Sequence, residues 1–437
     1  MKKSLIALAV GAAFAAPAAY ADVTISGAIN MGLAYNHQGG GTSQASNSLV
    51  NITAPQGGGV SRTGIDTNYS NITIGSLEDL GGGLKLDFAF QIVAPLQQNG
   101  SLVNRDSHIG LVSDSWGGVW YGTNENLYER YLYSVDPLDG AAGMGGNLQV
   151  LGSPGFGTVF DAPTNNPANC TNVNGNNVNV GCAGFYRRTE NTLWYDSPNW
   201  GGFTFGLYTT LQAYKQGNPV ASPGVGTGRT PPNPWVYGLG GKYVGPQIPI
   251  QAWLAYERHK DLYGINAITS GMGLGTGGNG TGTTGTSSSD YAVQLGAGYT
   301  FGDVFVYINY EKLKYTEDGL TGTALNGYKR AAESIGLKWN LATGYVGAQF
   351  DAAQNGSCSL ADGTACDAGG TTGKMFAVGY YATLSKQTQA YVVGNYIKNG
   401  NLQSYLPAGG GTAAGPNLGV SLGANIWGAT VGLKHTF

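Results

Sequence analysis

Apolar and polar residues alternate with a period of two along much of the 437-residue chain. Val23, Ile25, Ile29, Met31, Leu33 and Tyr35 share one parity, and Thr24, Ser26, Ala28, Asn30 and Gly32 occupy the other. Leu84, Leu86, Phe88, Phe90 and Ile92 oppose Lys85, Asp87, Ala89 and Gln91, and Phe203, Phe205 and Leu207 oppose Thr204, Gly206 and Tyr208. The pattern recurs at 248–257, 291–301, 304–311 and 376–384. Successive strand side chains point to opposite faces, so each segment predicts a strand with one oily and one polar or small face. Less regular stretches near 62–77, 104–113, 118–124, 186–197, 234–243, 329–339, 342–351 and 388–398, with the final strand, bring the count to sixteen. The regular segments run about ten residues, the length of a tilted strand crossing a bilayer.

The last strand, Gly428 to Phe437, carries the same signal with an aromatic end. Trp427, Ala429, Val431, Leu433, His435 and Phe437 lie on one face, while Gly428, Thr430, Gly432, Lys434 and Thr436 lie on the other. Aromatic residues gather where a membrane meets water, so Trp427, His435, Phe437 and Tyr35 are predicted in the lipid-interface girdle. Trp116, Trp120 and Trp200 are read the same way.

Connections alternate between short and long. Short ones, such as 78–83 (EDLGGG), 114–118 and 301–303, are rich in the Asp, Pro and Gly that tight reversals need. Long ones fall near 36–60, 95–103, 125–185, 213–233, 259–289, 316–328, 352–373 and 399–423. Short turns on one side and long loops on the other describe an up-and-down barrel. An open edge in hydrocarbon would leave unpaired N–H and C=O groups, so the last strand must close on the first. The predicted fold is all-β: a 16-stranded antiparallel transmembrane β-barrel. Sixteen strands leave an aqueous lumen.

Residues 1–21 stand outside that pattern. Lys2 and Lys3, the apolar run Leu5 to Phe14 and Ala19-Tyr20-Ala21 read as a cleaved signal peptide, leaving 22–437 as one barrel domain. Without the two lysines, 20 basic residues face 25 acidic ones. That balance gives no basic footprint for nucleic acid. Charged residues are only 11% of the chain, against about a quarter in water-soluble domains. The cysteines fall as two local pairs, Cys170 with Cys182 and Cys358 with Cys366, and export to an oxidising compartment favours two loop disulfides. A metal site is the alternative, but the four histidines are scattered without ligand spacing beside a cysteine. Neither a metal nor a cofactor is expected.

Four motifs in order tie these features to a family: Glu78-Asp79-Leu80-Gly81-Gly82-Gly83-Leu84, Asn191 to Pro198 (NTLWYDSP), Leu384-Ser385-Lys386 before Tyr391, and Val431 to Phe437 (VGLKHTF). With them the chain resembles the general bacterial porins of Gram-negative outer membranes, above all their beta-proteobacterial branch. The resemblance implies a homotrimer of sixteen-stranded barrels set in outer-membrane lipid and lipopolysaccharide. It also implies a third external loop folded inward and passive diffusion of small hydrophilic solutes and ions. The longest connection, 125–185, is that third loop, and loops of such length are usually functional or disordered.

Porins of this kind set basic residues on the wall against acidic groups on the inward loop. Parity counted from Leu193 and Tyr195 turns Arg188 and Glu190 inward. Arg105 sits where the family places a basic residue, Lys85 faces inward near the periplasmic end, and Arg62 depends on where the second strand begins. Asp136, Asp139 and Asp161 are the acidic candidates on the loop. Two positions depart from the family pattern: Asn71 stands where an Arg is common, and Pro154-Gly155-Phe156-Gly157 lacks the usual carboxylate. Tyr128, Tyr131 and Tyr133 read as packing residues.

No nucleophile elbow, phosphate-cradling loop or His-Glu-x-x-His pair is present, so no enzyme is expected. Of the histidines, His108 and His435 are placed within strands, both at outward-facing positions near the periplasmic end. The function read from the sequence is an outer-membrane porin, with a substrate-selective porin for organic anions or sugars as the alternative.

Overall fold

The computed structural model describes residues 22–49, 51–52, 57–66, 70–93, 103–139, 146–155, 184–186, 188–211, 235–260, 265, 287–407 and 421–437. Residues 1–21, Asp161, Cys170 and Cys182 lie outside the described residues, as does the side chain of Glu190. One sheet holds eighteen hydrogen-bonded runs. Two of them, Val60–Asp66 and Asn71–Gly81, pair along the same first strand and form one interrupted strand, and Ser357–Leu360 is a four-residue addition beside a longer one. Sixteen strands therefore go round.

In chain order they are β1 (Thr24–Gln38), the interrupted β2, β3 (Leu84–Val93), β4 (Val103–Ser113), β5 (Gly117–Glu125), β6 (Arg188–Asp196), β7 (Phe203–Thr210) and β8 (Trp235–Val244). The second half is β9 (Ile250–Lys260), β10 (Ser287–Phe301), β11 (Val304–Asp318), β12 (Leu325–Leu341), β13 (Gly344–Ala353), β14 (Gly373–Thr383), β15 (Thr388–Asn399) and β16 (Ile426–Thr436). Each pairs antiparallel with the next, and β16 closes on β1 with Thr436 opposite Ala28 and Ile426 opposite Gln38. The terminal residue extends the seam: the backbone N–H and C=O of Phe437 exchange hydrogen bonds of 3.1 Å with Gly27. No sheet edge is left for hydrocarbon to meet.

Burial alternates along most of the long strands, as on β10, β11, β14 and β16, and is inverted relative to a water-soluble protein. On β11 the exposed positions include Ile308 (60%) and Tyr310, while Tyr307, Asn309 and Glu311 are buried. Leu239, Leu254, Leu295, Ile335, Phe376, Val392 and Val431 continue the outer apolar face, and Gln294, Ser334, Gln349 and Asn395 lie inside. The ten residue steps from Val304 to Lys314, rising about 3.3 Å each at about 40° of tilt, climb roughly 25 Å, the height of a lipid-facing band. No described helix is long and apolar enough to cross a membrane; the strands do the crossing.

Connections at one end are tight. The β2–β3 turn uses Gly81, Gly82 and Gly83, all at positive φ (84°, 63° and 78°), and Asp79 Oδ1 accepts the Gly81 N–H at 2.8 Å. At the other end Cys358 and Cys366 are joined as a disulfide. Tyr35 packs at a tilt against Trp427, ring centres 5.2 Å apart, and His435 and Phe437 stand exposed at the turn end.

Candidate functional site

After β5 the chain leaves the wall and forms a short helix, α1 (Leu127–Tyr133). Asn126 starts it: its side chain accepts the Glu129 N–H at 2.8 Å while its carbonyl accepts the Arg130 N–H at 3.0 Å. Asn126, Leu127, Tyr128 and Leu132 are buried. What buries them is strand side chains from many parts of the barrel.

Asn126 Nδ2 donates to Glu257 on β9 (2.5 Å), and Gln294 Nε2 on β10 donates to the Tyr128 carbonyl (2.6 Å). Glu311 on β11 accepts from the Tyr128 hydroxyl and from the Gly152 N–H (2.6 Å). Arg330 on β12 donates through Nε to the Ser153 carbonyl and through Nη2 to the Val150 carbonyl, both at 2.8 Å, and pairs with Glu311 at 2.7 Å. On β13, a Cβ added to Gly347 would stand 2.1 Å from the Pro137 carbonyl oxygen, so only glycine lets the loop approach this close. Tyr381 on β14 donates to the Leu138 carbonyl (2.5 Å), and Lys434 on β16 pairs with Asp139. On the other side, Arg130 pairs with Asp196 of β6 at 2.9 Å and Lys242 of β8 donates to Ser134 at 2.6 Å. Residues 126–139 and 146–155 thus touch the inward parity of strands on both sides of the lumen.

At the foot of α1, Arg188 is nearly buried among three carboxylates: Asp106 (Nε to Oδ1, 3.1 Å), Glu125 (3.0 Å) and Glu129 (4.0 Å). Arg105 is also buried, with its Nε 4.0 Å from Asp106. The parity counted from Leu193 does not carry through to this arginine. Asn191 sits at φ 49°, and the two residues between Thr189 and Thr192 oppose the single Thr123 on β5, a bulge that offsets the register. Arg188 reaches the cluster all the same.

The remaining charges disperse. Asp136 accepts the Leu138 N–H (2.8 Å) and the Asn147 N–H (3.1 Å), shaping the loop from within. Lys85 pairs with Asp114 at 3.7 Å, far down the wall, beside a cavity of about 480 Å³ also lined by Asp87, Trp120, Asp196 and Asn199. Arg62 is exposed opposite Asn36 and joins neither group. Asn71 opens the second run of β2 opposite Ala28.

Three sequence expectations are corrected. His259 also lies within a strand, fully buried, 2.5 Å from Glu257 Oε1 and stacked on Phe185; the strand simply runs longer than its apolar alternation. His37 closes β1 in the same way. His108 and Trp120 face inward: Trp120 donates to Asp87 at 2.8 Å and stacks on buried Trp194 at 5.9 Å, with His108 edge-on to both rings. Tyr128 and Tyr131 are packing residues, as read.

Sequence reasoning did not single out Glu129, Glu257, Glu311 or Arg330. Parity had placed Glu257 and Glu311 inward, but nothing local marks them as the anchors of a loop more than a hundred residues away.

Burial, then the neighbouring Glu125, pushes the Glu129 carboxyl up to about 8. Since its unfolded value is lower, the folded state holds this proton more tightly, and α1 docking weakens as pH rises from about 4.5 to about 8. Above that range Glu129 adds a negative charge beside Arg188. In a salt-gradient bilayer recording, cation preference is expected to rise through about pH 8 in the native chain. Glu129→Gln should abolish that step. An equal step in the variant would assign it to another group.

A closed barrel that is apolar outside and polar inside, with residues 126–139 and 146–155 hydrogen-bonded to its inner face, defines an outer-membrane channel protein. A family model described as Gram-negative porin matches residues 7–402, and the chain belongs to that family. It is 26% identical over 430 residues to an outer membrane porin protein of Bordetella pertussis, covering 91% of this chain and 95% of that one. It is also 26% identical over 444 residues to outer membrane porin protein 32 of Delftia acidovorans, covering both chains fully. Both relatives are beta-proteobacterial, the branch that the four motifs indicate. Among solved structures, the anion-selective porin from Comamonas acidovorans aligns with TM-score 0.65 and 20% identity, over 95% of this chain and 100% of that chain. The protein is an outer-membrane porin, a water-filled channel for passive diffusion of small hydrophilic solutes and ions.

Proposed function

We propose that residues 126–139 and 146–155 form the constriction of this channel and that they set the size limit for diffusing solutes. The observation that carries the reading is their ring of anchors on β6 and β8–β14, with Lys434 on β16. A segment held from that many directions occupies cross-section that water and ions would otherwise use. Arg188 and Arg105, set against Asp106, Glu125 and Glu129, act on passing charges because a low-dielectric channel focuses field lines. Asp139 with Lys434 adds a second charged contact, Lys85 acts at the periplasmic mouth, and Arg62, Glu190 and Asp161 complete the candidate set. Asp136 is better assigned to loop architecture.

The working form is a homotrimer in outer-membrane lipid and lipopolysaccharide, exported by the cleaved leader 1–21. Cys170 and Cys182 form a second loop disulfide, and Tyr35, Trp427, His435 and Phe437 belong to the lipid-interface girdle. The chain moves solutes without chemically changing them.

Deleting residues 140–183 is the direct test. Single-channel conductance should increase clearly in planar bilayers, together with the size of polymer that can still block the current. An equal or smaller conductance in a correctly folded deletion variant would place the loop outside the conduction path.

A further inference from the structure

The short-turn end of the lumen holds a second place where polar side chains converge, away from the constriction. There β3 to β6 and the turn after β6 surround the cavity of about 480 Å³. That volume falls within the roughly 300–1,000 Å³ of pockets that enclose small organic ligands. Trp120 lies along it. A Cβ on Gly110 would stand 2.3 Å from the indole and one on Gly118 2.1 Å from it, so two glycines let the ring lie down on the wall. Trp194 stacks against the ring, and Asp87 Oδ2 holds its Nε1–H at 2.8 Å. The indole is therefore fixed in position, yet it stays partly exposed and lines the cavity.

The charges around it nearly cancel. Asp114 pairs with Lys85, and Asp196 pairs with Arg130. Asp87 has no lysine or arginine within 4.0 Å among the described residues. Its Oδ2 takes the indole N–H and faces His108 Nε2 at 3.3 Å, which leaves Oδ1 as an acceptor. Asn199 Oδ1 accepts the Gly202 N–H at 2.6 Å, so its NH2 group is left as a donor, and the Lys85 ammonium adds another. An anion here would be repelled by Asp87. An organic cation would be repelled by Lys85 and would leave the amide donor unmatched. A neutral ring bearing hydroxyls satisfies both kinds of group: it donates to Asp87, accepts from Asn199 and Lys85, and lays its C–H face on the electron-rich indole.

We propose that this cavity is a weak binding site for a pyranose sugar at the periplasmic mouth of the channel, with Trp120 as its platform and Asp87 and Asn199 reading the ring hydroxyls. The inference rests on the channel reading above and adds to it a carbohydrate station outside the constriction.

The test titrates maltose calorimetrically into the detergent-solubilised full-length protein and into its Trp120→Ala and Asp87→Asn variants. Each is first checked for the heat-modifiable gel mobility of a closed barrel. Trp120→Ala should weaken maltose binding by about tenfold. Asp87→Asn keeps the shape and an acceptor but loses the charge, and should weaken it by about threefold, since hydrogen bonds to an ionised oxygen are the stronger ones. Mannitol, which has the hydroxyls but no ring face, should bind the native chain about tenfold more weakly than maltose. Absence of saturable maltose binding, equal affinity in the folded Trp120→Ala variant, or mannitol binding as tight as maltose would overturn the proposal. Choline binding more tightly than maltose would also overturn it, since an organic cation would then be the occupant. If Trp120→Ala does not close into a barrel, the Asp87→Asn and mannitol comparisons decide. Single-channel conductance of the native chain without sugar is recorded in parallel. A conducting channel that ignores maltose loses the sugar site alone, whereas a chain that does not conduct would lose the channel reading.

Discussion

Ile308→Arg is expected to destabilise the barrel by about 2–4 kcal/mol when folding is followed by urea titration in lipid vesicles. Ile308 is 60% exposed near the middle of the lipid-facing run Val304 to Lys314 of β11, in register with Ala297 and Ile335. In water, exchanging an exposed isoleucine for arginine usually changes stability by within about 0.5 kcal/mol. Here the side chain faces hydrocarbon, and its charge must snorkel or draw water inward. Depth supplies the control. Thr316→Arg, on the same face at the loop end, should cost only about 0–1 kcal/mol. Equal and small effects at the two positions would mean that the outer face does not meet lipid.

Arg330→Met should have the second large effect, this time on the loop. Arg330 and Glu311 are fully buried and paired at 2.7 Å, and the same guanidinium holds the Val150 and Ser153 carbonyls. Removing one partner of a buried ion pair costs about 3–5 kcal/mol, because the remaining charge is left without compensation. The expected record has a lower urea midpoint and a noisier, larger mean conductance as 146–155 loses its anchor. Arg330→Met/Glu311→Leu should recover most of the stability, since an apolar pair of similar volume leaves no stranded charge, yet the loop should stay loose. Unchanged conductance in both variants would show that Arg330 does not hold the loop.

The barrel itself was legible in the sequence because its physics is local. Period-two alternation in segments such as Tyr291 to Phe301 fixes which face meets lipid, and the spacing of EDLGGG-type turns fixes direction. All sixteen strands fall where the alternation places them, with ends shifted by a few residues. The inner site was much less legible. Polar residues facing a lumen carry no periodic label saying which of them meet, and the decisive contacts are remote, as between Tyr128 and Glu311, 183 residues apart. Arg330 lay in a stretch whose alternation is blurred by Ala331, Ala332 and Ser334. One bulge at Asn191 is enough to break a parity count, and an indole such as Trp120 can serve an inner stack as readily as a membrane girdle.

Spin labels placed singly at 306 to 311, read for collisions with lipid-dissolved oxygen in reconstituted bilayers, probe the inside-out arrangement of the wall most directly. Collisions should peak at 306, 308 and 310 and fall at 307, 309 and 311. A flat profile, or maxima at the odd positions, would contradict a barrel whose oily face looks outward.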